Sequence, residues 1–312
     1  MKILLTGYTG FLGSALLKKL NNYQVYLTSR KCDEKISFPI YKKVISSSED
    51  FSDCLNGVEV VIHLAARVHQ MNDKSENPLK EFMETNCHGT LNLAMQAAKA
   101  GVKRFIFVSS IKVNGERSNP GKPFRFDDPI HPSDPYGISK ANAEEGLLKI
   151  AKDTKLEVTI IRPPLIYGPN VKANFASMLK LAKINFPVPL GSIKNKRSFV
   201  GIDNLVDLII TCINHCKAGN QIFLVSDNND VSTSKLYSLM AQAYGNKPRL
   251  ISISTKFLKL IGLLLGKKEA INRLCEDLRV DIWHTKKTLN WSPVVSLEDG
   301  IKNCVADKNY KK

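Results

Sequence analysis

The sequence predicts an α/β protein with a doubly wound parallel sheet and a smaller C-terminal domain that is partly interleaved with it. Short β-rich runs alternate with long helical patterns over the first half of the 312-residue chain. These runs are apolar throughout, as in strands buried on both faces of a parallel sheet. After Pro163-Pro164 the alternation ends, and turns and short helical segments follow. The length suits about two domains.

Each predicted strand is a short run of aliphatic or aromatic residues, and each predicted helix has apolar residues at helical spacing. In chain order the elements are strand Lys2–Thr6, helix Phe11–Leu20, strand Tyr23–Thr28, strand Val58–Leu64, helix Glu84–Ala100, strand Val102–Val108, helix Tyr136–Lys152 and strand Glu157–Ile161. We expect residues 1–164 and 201–225 to form the sheet domain, and residues 165–200 and 226–312 to form the smaller domain.

The composition excludes several classes of protein. A hydrophobic content of 43% excludes a disordered chain, and no apolar run approaches the roughly 20 residues of a membrane span, so we expect no integral membrane association. The net charge of +16 attracts anions, but no zinc-ligand spacing or RNA-binding aromatic motif accompanies it, so we expect no specific nucleic-acid partner. Seven scattered cysteines indicate free thiols, no metal site and a cytoplasmic location.

The segment between the first strand and the first helix has three glycines at the spacing of a dinucleotide-binding turn. It reads Thr6-Gly7-Tyr8-Thr9-Gly10-Phe11-Leu12-Gly13. Gly7 permits a tight turn, Gly10 lets the backbone approach a pyrophosphate, and Gly13 permits close packing of the helix on the strand. The N–H groups at the helix N-terminus attract phosphate. The position between a strand and a helix therefore predicts a Rossmann-type nucleotide site.

The residues that follow the second strand bear on the choice of cofactor. NAD-specific sites place an acidic residue there for the ribose hydroxyls, whereas this sequence has Arg30 and Lys31. A guanidinium and an ammonium attract the 2′-phosphate of NADP. The sequence therefore favours NADP, with NAD as the alternative, although two solvated cations at a strand end are a common arrangement.

Tyr136 and Lys140 are spaced to share one face of a predicted helix, because residues at i and i+4 are neighbours. A nearby ammonium is expected to lower the tyrosine pKa from about 10, so that Tyr136 exchanges a proton with a carbonyl or an alcohol. Ser109 and Ser110 follow the strand Val102–Val108. Active sites of open α/β sheets lie at the carboxyl ends of strands, so these hydroxyls are placed to polarise the same oxygen.

Ordered motifs along nearly the whole chain resemble those of the extended short-chain dehydrogenase/reductases, in particular the group of nucleotide-sugar epimerases, dehydratases and reductases. The motifs are Thr6-Gly7-x-x-Gly10-x-x-Gly13, His63-Leu64-Ala65-Ala66, Asn86-x-x-Gly89-Thr90-x-Asn92-Leu93, Ser109-Ser110, Tyr136-x-x-x-Lys140, Arg162-Pro163-Pro164-x-x-Tyr167-Gly168-Pro169, Arg197-Ser198-Phe199-Val200 and Asn290-Trp291-x-Pro293. The resemblance implies an enzyme whose sheet domain binds a dinucleotide and whose smaller domain binds a nucleotide sugar. It also implies a UDP-sugar substrate and a homodimer.

The same resemblance assigns roles to individual residues. It implies that Ser110, Tyr136 and Lys140 are catalytic, and that Asn86 supports the cofactor site. Together with the residues derived above, the expected cofactor contacts are Gly7, Thr9, Gly10, Phe11, Leu12, Gly13, Arg30, Lys31, Leu64, Ala65, Ala66, Asn86, Ser109, Tyr136, Lys140 and Pro163. The expected substrate contacts are Ser110, Asn174, Arg197 and Arg279. The alternatives are surface ion pairs for the two arginines, with Asp203 or Asp281, and a helix cap for Asn174.

The reaction at C4 of the sugar has two main alternatives. A dehydratase is disfavoured, because Ile111 and Lys112 occupy the positions of its acid–base pair. The chain lacks the acidic residue after the second strand, which fits an enzyme that uses NADPH. The segment Val108–Glu116, with Lys112 and Asn114, resembles that of bacterial reductases. These enzymes reduce a UDP-4-keto-6-deoxy-N-acetylhexosamine for surface polysaccharide. The alternative is an NAD-dependent 4-epimerase of UDP-glucose or UDP-N-acetylglucosamine. A non-catalytic dinucleotide sensor is disfavoured, because the tyrosine and the lysine are both present.

Overall fold

The computed structural model describes residues 1–31, 36–68 and 77–306. Nine strands lie in this part of the chain: β1 (Lys2–Thr6), β2 (Gln24–Ser29), β3 (Ile40–Lys42), β4 (Val60–His63), β5 (Arg104–Val108), β6 (Glu157–Arg162), β7 (Leu165–Tyr167), β8 (Phe199–Gly201) and β9 (Gln221–Leu224). Seven of these strands form one parallel sheet in the order β3-β2-β1-β4-β5-β6-β9, and β7 pairs with β8. The strand order reverses between β1 and β4, which confirms the predicted doubly wound sheet.

The same residues form twelve α-helices: α1 (Phe11–Leu17), α2 (Ser52–Leu55), α3 (Pro78–Phe82), α4 (Gly89–Lys99), α5 (Pro135–Asp153), α6 (Ala173–Lys183), α7 (Ile202–Asn214), α8 (Thr233–Ala243), α9 (Thr255–Leu264), α10 (Lys268–Cys275), α11 (Trp283–Leu289) and α12 (Leu297–Ala306). Successive strand side chains point to opposite faces. Ile3 and Leu5 pack with α1, α7 and α11, whereas Leu4 packs with α2, α4 and α5. Both faces of the sheet are therefore buried, as the apolar strand runs predict. None of these described helices is long and apolar enough to span a bilayer.

A third hydrophobic core lies in the C-terminal half of the chain. Helices α6, α8 and α12 contribute to it Phe175, Leu179, Leu236, Tyr237, Met240, Leu297 and Ile301. The hydroxyl of the buried Tyr237 donates to the Phe186 carbonyl at 2.7 Å. These helices come from segments assigned to the smaller domain, whereas α7 and β9, which lie between α6 and α8 in sequence, pack with the sheet. The domain boundaries stay a prediction.

The predicted helix at 84–100 begins with a different helical geometry. Residues Met83–His88 form a π-helical segment that leads into α4 at Gly89. Such segments often occur at functional sites, because they locally change the direction in which side chains point. Here the segment brings the buried Asn86 amide to the backbone of Arg67, shortly after β4.

Gly7 and Gly13 allow the turn between β1 and α1 to fold tightly. Gly7 has a φ of +74°, and a β-carbon there would lie 2.6 Å from the Ala65 nitrogen. A β-carbon on Gly13 would overlap the carbonyl oxygen of Gly7. Gly10 differs, because a β-carbon there would approach that oxygen only to 3.2 Å.

We expect Gly13→Ala to lower the free energy of unfolding by about 1–3 kcal/mol, the usual cost of overpacking, despite the higher helix propensity of alanine. Gly10→Ala is the matched control, with an expected loss below about 1 kcal/mol. Urea unfolding followed by tryptophan fluorescence measures both changes. Equal losses in the two variants would contradict the close approach of α1 to the turn.

Candidate active site

A cleft of about 420 Å³ opens at the carboxyl ends of the central strands. It is lined by Gly7, Gly10, Phe11, Leu12, Gly13, Leu64, Ala66, Val68, Val108, Ser109, Ser110, Tyr136, Lys140, Pro163, Pro164 and Ile166. The structure therefore brings the glycine turn, the residues after β4, the two serines after β5 and the Tyr136–Lys140 pair of α5 around one space. These are the residues that the sequence assigns to the cofactor and to catalysis.

Several predicted site residues do not line this cleft. Thr9 is exposed on the glycine turn, and Arg30 and Lys31 are exposed directly after β2. Ala65 lies behind the turn, where its N–H donates to the Thr6 hydroxyl at 3.1 Å. The assignment of these residues to the cofactor stays a prediction.

The glycine turn has the properties of a pyrophosphate cradle. Gly10 precedes α1 in an extended conformation, and no side chain caps the helix. The N–H groups of the first helical turn have no acceptor within the helix, so they are suited to bind phosphate oxygens. Gly10 also lines the cleft, so a side chain there would enter the space that a pyrophosphate would occupy. The turn therefore fits a dinucleotide.

Lys140 is almost completely buried, at 1% exposure. Its ammonium donates to the Val108 carbonyl at 2.9 Å and lies 4.3 Å from the centre of the Phe107 ring. Burial lowers the pKa of Lys140 to about 7, although the nearby Glu144 carboxylate raises it. Lys140 therefore changes its charge near neutral pH.

Tyr136 packs edge-on against Phe82, with ring centres 6.2 Å apart. Burial, together with the smaller effect of the Asp134 carboxylate, raises the pKa of the Tyr136 phenol to about 12. The expectation that Lys140 lowers this pKa is wrong for this arrangement of the side chains. The physical reason is that burial dominates this pKa, while the Lys140 ammonium bonds the Val108 carbonyl.

Asp134 fixes the start of α5, and thus the position of Tyr136. Its carboxylate accepts a hydrogen bond from the Gly137 N–H at 2.7 Å, which caps the helix. The same carboxylate pairs with the ammonium of Lys112, which also lies 3.0 Å from Glu116. The Lys112 ammonium therefore compensates the negative charge of Asp134, which lies two residues before Tyr136.

A buried ion pair contacts Ser109, which lines the cleft. Arg162, at the end of β6, donates to both carboxylate oxygens of Glu144 at distances of 2.5–3.0 Å, and each residue is 3% exposed. The Ser109 hydroxyl donates to the same carboxylate, and Arg162 also donates to the Asn114 amide oxygen at 3.0 Å. The sequence analysis missed Glu144. Its position one turn beyond Lys140, on the same helix face, was the available signal.

His63 connects β1 and β4 to the helix behind them. Its two ring nitrogens lie 2.8 Å from the Thr6 hydroxyl and 2.9 Å from the Thr90 hydroxyl. Burial lowers the pKa of His63 to about 3, so the ring is neutral. Thr90 donates its proton to the Asn86 carbonyl, so Nε2 of His63 must donate to Thr90, and Nδ1 accepts from Thr6. His63 is therefore a structural residue.

Asn86 positions the loop after β4 and does not line the cleft. Its amide nitrogen donates to the Arg67 carbonyl at 2.9 Å and to the Ser139 hydroxyl at 3.0 Å, and its amide oxygen accepts from the Arg67 N–H at 2.7 Å. The loop and α5 are thus joined by one side chain. Its support of the cofactor site stays a prediction.

Apart from Ser110, the predicted substrate residues lie outside the lining of the cleft. The backbones of Arg197 and Leu278 pair in parallel, which brings Arg197 and Arg279 onto neighbouring extended segments. Arg197 donates to the carbonyls of Arg273 and Glu276 at 2.7 and 3.1 Å.

The other two expected substrate contacts have different surroundings. Arg279 pairs with Asp230 at 2.7 Å, so its ion-pair partner is neither Asp203 nor Asp281. Asn174 is exposed in the first turn of α6 and does not cap that helix, because Lys172 occupies the cap position. The substrate roles of all three residues stay predictions.

Comparisons with known proteins extend over nearly the whole chain. Residues 3–226 match the NAD dependent epimerase/dehydratase family. The chain is 48% identical over 307 residues to UDP-glucose 4-epimerase from Vibrio cholerae, covering 96% of this chain and 93% of that protein. It is 24% identical to dTDP-4-dehydro-6-deoxyglucose reductase from Escherichia coli, over 97% and 96% of the two chains. A crystal structure of UDP-glucose 4-epimerase from Thermotoga maritima with UDP-glucose has a TM-score of 0.76 and 25% identity, covering 100% of this chain and 98% of the other.

The depressed pKa of Lys140 predicts a pH-dependent stability. In the unfolded chain Lys140 keeps its proton up to the ordinary pKa of 10.5, whereas the folded protein releases it near pH 7. Between these values the unfolded state binds more protons, so Lys140 makes the free energy of unfolding rise with pH. Lys140→Met should lower the slope of the free energy of unfolding against pH by up to about 1.4 kcal/mol per pH unit.

Urea unfolding between pH 7 and 9.5 measures this slope in each protein. The exposed Lys149 on the same helix provides the matched control, Lys149→Met, whose slope should equal that of the unmodified protein. Buried cysteines with raised pKa values, such as Cys212 and Cys304, oppose the trend equally in all three proteins. An unchanged slope in Lys140→Met would show that Lys140 is not the titrating group.

Proposed function

Because this chain belongs to the NAD dependent epimerase/dehydratase family, we propose that it is a UDP-hexose 4-epimerase. The observation that carries the proposal is the single cleft in which the glycine turn meets Ser110, Tyr136 and Lys140. The 48% identity to a UDP-glucose 4-epimerase, against 24% to a reductase, supports the epimerase alternative over the reductase that the sequence analysis preferred. UDP-glucose is therefore the first substrate to test.

The residues of the glycine turn, with Leu64, Ala66 and Pro163, would hold NAD against the sheet. NAD supplies reversible oxidation at C4 of the sugar when it is bound. The exposed Arg30 and Lys31 instead favour a 2′-phosphate, so the preference for NADP stays a prediction.

The homodimer and the cytoplasmic location stay predictions as well.

Tyr136 is the group that moves the proton at the C4 oxygen. It would accept the hydroxyl proton as C4 is oxidised and return a proton when the opposite configuration forms. The Ser110 hydroxyl would hold the same oxygen by a hydrogen bond. For this role the Tyr136 pKa would have to fall from about 12 when cofactor and sugar are bound. A Lys140 ammonium turned from the Val108 carbonyl toward the phenol, one turn back along the same face of α5, would supply the stabilising charge.

Tyr136→Phe tests the proton-transfer step. We expect purified protein to convert UDP-glucose to UDP-galactose without added cofactor, and we expect the variant to lose turnover by about 10²–10⁴-fold while it still binds NAD. Tyr41→Phe, on the edge strand β3, is the matched control and should retain activity. Anion-exchange chromatography of the nucleotide sugars measures the product.

Two results would contradict the epimerase. One is no interconversion of UDP-hexoses together with oxidation of added NADPH by a UDP-4-keto-6-deoxysugar, which would establish the reductase. The other is full activity in Tyr136→Phe, which would remove Tyr136 from the mechanism.

Arg30→Ala tests the preference between the two cofactors. If Arg30 binds a 2′-phosphate, the variant should bind NADP about 10–100-fold more weakly, because a hydrogen bond to a charged group contributes about 1.5–3 kcal/mol. Binding of NAD should be unchanged. Isothermal titration calorimetry with each dinucleotide gives both affinities. Equal NADP affinity in variant and parent would exclude this contact.

A further inference from the structure

Helix α9 presents its apolar side chains to solvent. Leu258 and Gly262 are its buried residues. Phe257, Leu260 and Leu264, at i, i+3 and i+7, share the opposite arc of the helix and are 53%, 50% and 77% exposed. Leu263 and Leu265 extend this surface, at 58% and 66% exposure. This is the reverse of an ordinary surface helix, whose solvent face is polar.

Basic side chains surround this apolar surface. Between residues 255 and 275 the chain has five cationic residues and one carboxylate, that of Glu269. Lys256, Lys267 and Lys268 are exposed around the leucines, as is Lys259, which pairs with Glu276 at 3.1 Å. The surface thus combines aliphatic side chains with a positive border.

Helices α9 and α10 form a hairpin that holds this surface in place. Gly262 of α9 lies so close to Ile271 of α10 that a β-carbon on it would come within 2.6 Å of the isoleucine side chain. Leu258 anchors the hairpin in the third core. The end of α10 also accepts a hydrogen bond from Arg197 through the Arg273 carbonyl. The hairpin is therefore joined to the extended segment that contains Arg197.

We propose that the α9–α10 hairpin (residues 255–275) docks on an anionic phospholipid surface. Helices that lie in a membrane interface combine exposed leucine and phenylalanine with lysine beside them, and each lysine near an anionic surface adds attraction. Protein interfaces, in contrast, are depleted in lysine. The ten residues of α9 are too few to span a bilayer, so the helix lies in the plane of the interface. This binding does not depend on the reaction proposed above.

Co-sedimentation of the full chain with vesicles tests the docking. We expect binding to phosphatidylglycerol/phosphatidylethanolamine vesicles and little binding to phosphatidylcholine vesicles. Addition of about 0.5 M salt to the same anionic vesicles should weaken the binding. The double variant Leu260→Glu, Leu264→Glu should reduce partitioning by about tenfold or more. Val294→Glu is the matched control, because Val294 is 61% exposed on the loop before α12 and does not belong to the hairpin.

A second measurement reports insertion directly. In Phe257→Trp the emission of the new tryptophan should shift to shorter wavelength when anionic vesicles are added, relative to the unmodified protein. Circular dichroism verifies that each variant is folded.

Three results of the vesicle experiments and one of a separate measurement would overturn the proposal. These are no sedimentation with anionic vesicles, equal binding to neutral vesicles, and equal binding of the double variant and the Val294→Glu control. A fourth is a change of the free protein from dimer to monomer in the double variant by sedimentation equilibrium, which would show that a second copy of the chain covers this surface.

Discussion

The electrostatics of the cleft depend on the pairing of the buried Glu144 carboxylate with Arg162 and the Ser109 hydroxyl. A charge removed from water is costly unless it is paired and fully hydrogen-bonded. Arg162 and the Ser109 hydroxyl satisfy it from two neighbouring strands. The same carboxylate raises the pKa of Lys140 and thereby opposes part of the effect of burial. Removal of Glu144 would leave Arg162 unpaired beneath the site and would make the charged form of Lys140 less stable.

A second set of contacts gives the cleft its shape. The neutral His63 ring joins the ends of β1 and β4, and Asn86 joins the loop after β4 to α5. The Thr90 hydroxyl donates to the Asn86 carbonyl and therefore accepts from His63, which fixes the tautomer of the histidine. The loop after β4, which lines the cleft through Leu64, Ala66 and Val68, is therefore held by side chains that do not line the cleft. Such residues support a site whose chemistry is carried by others.

Much of this arrangement follows from the sequence, because local spacing determines it. The apolar runs predict the buried sheet, the glycines predict the turn, and the i, i+4 spacing of Tyr136 and Lys140 places both on one helix face. The pKa of Tyr136 does not follow, because it depends on burial by elements distant in sequence. The partners of Arg197 and Arg279 do not follow either. Asp230 and the carbonyls at the end of α10 reach these arginines only through tertiary packing.

Lys112 and Asn114 illustrate why a short motif did not distinguish a reductase from an epimerase. The sequence analysis used Lys112 and Asn114 as marks of the reductases. In the structure Lys112 pairs with Asp134 and Glu116. Asn114 bonds Arg162 and the Arg125 carbonyl at 3.2 Å. Both side chains thus stabilise the framework around α5 and β6.

Because these contacts are internal, the two residues report how the cleft is supported and carry little information on the sugar or the direction of the reaction. Ser110, Tyr136 and Lys140 do not discriminate either, since proton transfer at a C4 oxygen is common to reduction and to inversion of configuration. The discrimination must therefore reside in the residues that hold the sugar and let it present either face. The sequence predicts that the smaller domain supplies many of these residues. Similarity over the full length of the chain includes all of them, so it is more informative than any single motif.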